Sequence, residues 1–421
     1  MQLQLRTLLN HVHPLKGFVY KDVRMVPAGR PRKQRIEAHV VPRKNSKGRC
    51  ATCGEAHSTY DHQPERSFAF VPLWGLLVYL FYAPRRINCP TCGIHVEAIP
   101  WAAGKSLMCT VYMSFLATWA RRLSWTETAR AFHTTWDNVY RAVAWVVEYG
   151  LAHRELNGIT ALGIDEVHYR KGNHFLTLVY QIDHGRRRLL WVAESRTHAA
   201  IKEFFTWFGK ARSRALLVVC SDMWKPYLKA IRRYAGKALN VLDKFHIVAH
   251  LNKAVDETRR QDAALFRRQG DKVTLKHTRW CLLKRPGNLT TKQRGRLRDL
   301  LRLNLRTARA YLLKEDFNHF WDYVSATWAG KFLDQWCAIV QSSGLAPMKV
   351  KAKMLLAHRD LILNYFRAKK QFSSGVVEGL NTKVKLVTRK AFGFRKVDTM
   401  KIALFHALGR LPEPEHTHRF A

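Results

Sequence analysis

The chain has 421 residues, 47% of them hydrophobic, enough for about two to four globular domains with real cores. Its 72 lysines and arginines against 31 aspartates and glutamates give a formal charge of +41 spread over nearly the whole length, far more than solubility requires, so nucleic acid is the expected partner. A membrane protein is excluded on pattern: the N-terminus lacks the apolar core of a signal peptide, and the long uncharged run 68–83 is short and interrupted by Pro72 and Gly75.

In chain order, residues 1–47 are basic and proline-containing with no sustained period, and read as an arm. Residues 48–101 carry short strands and turns between two Cys-x-x-Cys pairs, with a hairpin over 68–83. Cys50 with Cys53 and Cys89 with Cys92 form two knuckles, each followed by glycine. Two knuckles supply four thiolates at tetrahedral geometry, so a closed structural Zn2+ site in a zinc-ribbon is expected; a disulfide pair or four buried thiols is the alternative. Cys109, Cys220, Cys281 and Cys337 lie in apolar stretches and, with no secretory signal, favour a reducing, cytoplasmic compartment.

Residues 102–155 change to helical spacing in three pieces, 107–122, 125–132 and 135–148, with Ser124 and Thr134 as N-caps. The stretch SWTETARAFHTTWDNVYRAVAWVVEYG reads as a helix-turn-helix whose second helix presents Thr135, Asp137, Asn138 and Arg141 to DNA; the plainer reading is a core hairpin packing Trp136, Val139 and Val143. Over 156–250, three meandering strands give way to strand-helix alternation, which predicts a mixed α/β sheet. Residues 251–371 read as helix throughout, and 372–421 resume with a turn and an amphipathic helix.

Asp165 ends one apolar strand and Asp222 another, and strand-end acids on neighbouring strands converge within a few ångströms only if cations sit between them. In a phosphate-binding protein the matching cation is hard and divalent, Mg2+ (or Mn2+), and two such ions activate a phosphodiester for in-line attack. Glu378 is the third candidate ligand. It follows Ser373-Ser374-Gly375 on a helix whose stripe Val377, Leu380, Val384 and Val387 opposes Glu378, Asn381, Thr382, Lys385 and Arg389. Singly, each acid has a plainer role: a turn residue at 165, an N-cap at 222, a complement to the helix dipole at 378. Glu166 falls on the other strand face by alternation and is left to a basic neighbour.

The blocks GIDEVHYRKG, SDMWKPYLKAI, VLDKFHIVAHLNKAVDETRR and FSSGVVEGLNTKVKLVTRKAFGFR resemble those of bacterial insertion-sequence transposases of the DDE class, and RRINCPTCG and SWTETARAF resemble that group's N-terminal blocks. The resemblance covers about 50–408. It implies a ribonuclease H-like mixed sheet (156–250, completed by 372–421) behind the zinc-ribbon and helix-turn-helix, with 251–371 as a large all-helical insertion. It further implies Asp165, Asp222 and Glu378 as a triad on two Mg2+, and Asp243 with His246 as an Asp-x-x-His element supporting the site or touching DNA. The function then expected is cleavage and strand transfer of double-stranded DNA at the element's terminal inverted repeats. Lys385, Arg389, Arg395 and Lys396 would hold the backbone, in a homodimer or higher assembly associated with the bacterial nucleoid. The alternatives are a metal-dependent nuclease without strand transfer and a DNA-binding regulator with an inactive core.

Overall fold

Val78, Leu80 and Tyr82 are buried while their neighbours are half-exposed, so one face of their strand is core, as period-two alternation requires. The computed structural model describes residues 4–28, 34–170, 172–270, 274–303, 305–370 and 375–415. The chain divides into one unit of residues 1–155 with 385–421 and a second of residues 156–384.

The first unit opens with α1 (Leu5–Val12), β1 (Phe18–Pro27) and β2 (Gln34–Pro42), then β3 (Gly48–Arg49), β4 (Ala56–His57), β5 (Thr59–His62), β6 (Arg66–Leu73), β7 (Leu76–Tyr82), β8 (Arg85–Cys89) and β9 (Gly93–Val96). One sheet runs β1-β2-β7-β6, with β2 and β7 parallel. The hairpin read over 68–83 is present as β6 and β7, joined at Trp74 and Gly75, both with positive φ. The reading of 1–47 as an arm is corrected here, since β1 and β2 bury Phe18, Tyr20, Ile36, Ala38 and Val40 in this core. Charged residues interleaved along both strands hide the period in sequence. Residues 1–3 and 29–33 of that stretch lie outside the described residues.

Helices α2 (Thr110–Arg122), α3 (Trp125–Ala131) and α4 (Trp136–His153) cover the same core. Ser124 caps α3 in a reciprocal capping box with Glu127. Thr135, rather than Thr134, caps α4, accepting from the Asn138 amide at 3.2 Å.

In the second unit, β10 (Ala161–Arg170), β11 (His174–Asp183) and β12 (Arg186–Ala193) form an antiparallel meander. After α5 (His198–Phe208) and α6 (Lys210–Arg214), β13 (Val218–Ser221), α7 (Lys225–Tyr234) and β14 (Leu239–Leu242) complete a five-stranded sheet in the order β12-β11-β10-β13-β14. β13 is parallel to β10 and β14 to β13. Asp165, expected where its strand ends, instead lies in the middle of β10, because pairing with β11 carries that strand on to Arg170.

An all-helical segment follows: α8 (Lys244–Arg268), α9 (Arg279–Leu283), α10 (Thr291–Arg302), α11 (Arg306–Phe317), α12 (Ala326–Ser342), α13 (Ala346–Ala357) and α14 (Arg359–Arg367). It has its own core around Phe317, Phe320, Trp336 and Leu355, and Asn364 on α14 donates to the Asn240 carbonyl of β14 at 2.9 Å. The last helices are α15 (Gly375–Lys390) and α16 (Val397–Leu408). Residues from 385 onward group with the N-terminal unit, where the sequence reading had left 372–421 with the core; α16 packs on α4, and its Ile402 and Phe405 lie against the core that α4 covers. Among the described residues, no helix is long and apolar enough to cross a membrane.

Candidate active site

Parallel pairing sets the level of the acids. Gly163 of β10 lies opposite Cys220 of β13, and Cys220 opposite Val241 of β14. Carrying that register forward two residues puts Asp165, Asp222 and Asp243 level with one another on adjacent strands, which are spaced roughly 4.8 Å apart. The Asp243 amide donates to the Ser221 carbonyl at 2.9 Å and holds that register past the end of β14.

Each carboxylate is tied down. Asp165 Oδ1 accepts from the Glu166 amide at 2.8 Å, and its Oδ2 accepts from Asn381 Nδ2 at 2.6 Å. Asp222 Oδ1 accepts from the Trp224 amide at 3.0 Å. Asp243 accepts from the Phe245 amide at 2.7 Å and pairs with His246 Nδ1 at 2.8 Å. Burial pushes the Asp165 carboxyl up to about 6, with the charges of Asp243 and Asp222 acting in the same direction. Burial likewise lifts Asp222 to about 6, reinforced by Glu166 and Asp243. The hydrogen bond to Asp243 raises the His246 imidazole to about 9, and Asp165 and Asp222 add to it. Three converging acids and one imidazole therefore share a field that a divalent cation would relieve, and oxygen donors suit Mg2+.

Glu378 is exposed in the first turn of α15, one turn before Asn381. Residues three apart on a helix are neighbours, about 5–6 Å between Cβ atoms, so the bond from Asn381 to Asp165 brings Glu378 to the same neighbourhood. Its carboxylate does not close a tight cluster with the two aspartates: among the described residues only the four cysteines converge that closely. Ser373 and Ser374, expected to shape the preceding turn, lie outside the described residues.

Val377, Leu380 and Val384 are buried as the stripe predicts, but Asn381 is buried too, bonded to Asp165 and accepting from the Tyr180 hydroxyl at 2.7 Å. Asn381 is thus no surface phosphate binder; Asp165 and Tyr180 take up its amide. Sequence reasoning missed this role, although its position one turn after Glu378 was the available signal. Glu166 finds the basic neighbour expected for it, Arg196 at 3.3 Å.

The other predicted contacts sit in the first unit. Thr135 and Asn138 spend polar atoms on local bonds, Asn138 Nδ2 donating to Thr134 Oγ1 at 3.0 Å, whereas Asp137 and Arg141 are exposed. Lys385, Arg389, Arg395 and Lys396 are all exposed.

Cys50, Cys53, Cys89 and Cys92 bring their sulfurs within 4.8 Å of one another. The Cys53 and Cys89 sulfurs lie 3.7 Å apart; a tetrahedron with metal-sulfur bonds of about 2.3 Å has edges of about 3.8 Å. Amide donors from Cys53 and Thr52 draw the Cys50 thiol down to about 6, while desolvation and the neighbouring thiols push Cys92 up to about 12. Four such sulfurs ionise together only around a cation, and the cluster fits Zn2+.

Comparison with known proteins gives the family of the chain. A family profile described as transposase, of the ISL3 DDE group, matches residues 162–404, and one described as the zinc-finger of transposase IS204/IS1001/IS1096/IS1165 matches 46–92. The chain is similar to the transposase for insertion sequence element IS1557 of Mycobacterium tuberculosis, 29% identical over 408 residues and 90% of each chain. It is also similar to the transposase for insertion sequence element IS1001 of Bordetella parapertussis, 26% identical over 349 residues, 82% of this chain and 85% of that one. With a zinc-ribbon ahead of a mixed α/β core, and a profile spanning more than half of its length, the chain belongs to this family of insertion-sequence transposases.

Proposed function

We propose that the protein binds the terminal inverted repeats of its own element and catalyses Mg2+-dependent cleavage and strand transfer through Asp165, Asp222 and Glu378, on a core of ribonuclease H-like order. The observation that carries this reading is the level placement of Asp165, midway along β10, and Asp222, just past the end of the parallel β13, with α15 bonded to the first of them through Asn381. The strand order, an antiparallel meander followed by two parallel strands, supports the core assignment.

Asp165 and Asp222 would hold the cations, and Glu378, on an exposed first turn, would swing in to complete the set. Bound Mg2+ or Mn2+ would polarise the scissile phosphate and sharpen the attacking water or hydroxyl. Water attacks phosphorus and the P–O3′ bond breaks; the freed 3′-hydroxyl then attacks a target phosphodiester. No covalent protein intermediate forms. Asp243, just past β14, and His246, in the first turn of α8, support the site. The zinc-ribbon, Thr135, Asn138 and Arg141 would recognise the ends, and Lys385, Arg389, Arg395 and Lys396 would hold phosphates. Bringing two ends together calls for at least two copies of the chain.

The test incubates the protein with element-end DNA, a target plasmid and Mg2+. Joined products are expected from the wild-type chain and none from Asp165→Asn or Asp222→Asn. Both variants should fold at least as stably at pH 8, because burial opposes ionisation of the native carboxylates. Cleavage without joining would make the protein a nuclease. Full activity in Asp165→Asn would remove the acids from the chemistry.

A further inference from the structure

The turn after α15 carries a feature that the proposed chemistry leaves unused. Phe392 is 98% exposed, and its backbone is left-handed, with φ of 52°. A bulky L-residue rarely adopts that region, and the following Gly393, at φ 94°, completes a turn that needs glycine. The backbone that carries the ring is nevertheless held by the turn. The Ala391 amide donates to the Val387 carbonyl, Phe392 to Arg389 and Gly393 to Thr388, at 3.2, 3.0 and 2.9 Å, closing the helix end. On one side Lys390 Nζ donates to the Arg121 carbonyl at 3.0 Å. On the other, Phe394 meets Trp125 edge-on, with ring centroids 6.5 Å apart, and Trp125 in turn contacts Trp136 at the start of α4. The turn is thereby moored to the α3–α4 module, all within one unit.

The turn itself carries positive charge, with Glu127 and Asp398 as its nearest acids. From Val387 to Val397 there are four cations, Arg389, Lys390, Arg395 and Lys396, and no acid. A solvent-facing aromatic ring on a hydrogen-bonded turn flanked in sequence by cations matches a nucleic-acid strand, whose phosphates meet the cations and whose bases offer a flat face to the ring. A protein or lipid partner would pair better with a contiguous apolar patch than with one ring among charges.

We propose that Phe392 is a stacking wedge: it inserts at a base step of the DNA bound by the helix-turn-helix module and stacks on the base it unstacks. The inference rests on the DNA-end reading above and adds to it a specific residue and a distortion of the duplex.

The experiment uses the full-length protein and a fluorescein-labelled duplex of the terminal repeat flanking the gene. It compares wild type with Phe392→Ala and Phe392→Trp by anisotropy and by permanganate oxidation of unstacked thymines. Wild type and Phe392→Trp should bind alike and make the same thymines reactive. Phe392→Ala should bind about tenfold more weakly and lose that reactivity. Its thermal midpoint should not change, because the ring is almost fully exposed. If Phe392→Ala binds and distorts the duplex as wild type does, the wedge is wrong while end binding stands. If it instead loses self-association with DNA affinity intact, the ring's partner is a second copy and the proposal falls. If the wild-type chain binds no DNA, both readings fall together.

Discussion

Asn381 and Asp165 are 216 positions apart in the chain, yet the side-chain amide of the first lies 2.6 Å from the carboxylate of the second. Asn381 in turn accepts from Tyr180 on β11, so one buried amide joins α15 to two strands of the sheet and fixes the orientation of a candidate metal ligand. Partners that orient a ligand typically matter about 10- to 100-fold in affinity or rate when removed. Asn381→Ala should therefore raise the Mn2+ midpoint and slow strand cleavage by that order, while costing about 1–3 kcal/mol of stability for the unpaired groups left behind. A titration of cleavage rate against Mn2+ decides it: an unchanged midpoint would deny Asn381 any positioning role.

Gly163 governs the same approach by having no side chain. A Cβ there would stand 2.5 Å from Val377 Cγ2 and 3.2 Å from Ile182 Cγ2, closer than packed atoms tolerate. Val377 precedes Glu378, so Gly163→Ala should push the first turn of α15 off the sheet. The expected cost is about 1–3 kcal/mol, with a larger loss of cleavage than stability alone explains. The double variant Gly163→Ala with Val377→Ala should recover much of both; a strictly additive pair would show that the contact is not the cause.

The four-cysteine cluster makes a prediction about folding rather than catalysis. One zinc per chain should be released by Cys53→Ser or by a strong chelator, and residues 48–97 should then become sensitive to limited proteolysis, since binding free energy at such sites is folding free energy. Metal content measured alongside the digestion pattern checks it. A metal-free protein with an intact ribbon would mean the cluster is held by packing alone.

His406 sets a pH limit on the first unit. Burial, helped by the charges of Arg121 and Lys390, pushes its imidazole down to about 3 from an ordinary value near 6.5. The folded state keeps this ring neutral where the unfolded chain protonates it. Stability is thus present above about 6.5 and is lost as pH falls toward 3, by at most about 1.4 kcal/mol per pH unit. His406→Leu should flatten the acid limb of a denaturation series between pH 6.5 and 4. An unchanged slope would mean that other groups carry the acid sensitivity.

Much of the molecule was legible in one dimension because its signals are local. The N-cap at Ser124, the β6–β7 hairpin, the meander of β10 to β12 and the apolar stripe Val377, Leu380 and Val384 all follow from spacing within a few residues. What escaped was non-local. β1 and β2 looked like an arm because their inward residues are separated by charges and gain their partner only when β2 pairs with the distant β7. Asn381 looked like a surface phosphate binder because helical periodicity assigns a face but does not say what the rim of that face will touch.

The covalent chain by itself determined the charge, the thiol knuckles, and the acids placed where apolar runs stop, since each depends only on residue type and short-range order. Tertiary structure decided that β10, β13 and β14 lie parallel and in register, so that Asp165, Asp222 and Asp243 share one level, and that residues beyond 385 group with the N-terminal unit. The physical reason is that strand register and long-range packing are set by the backbone hydrogen bonds and buried area of segments far apart in sequence, terms that no local window of residues contains.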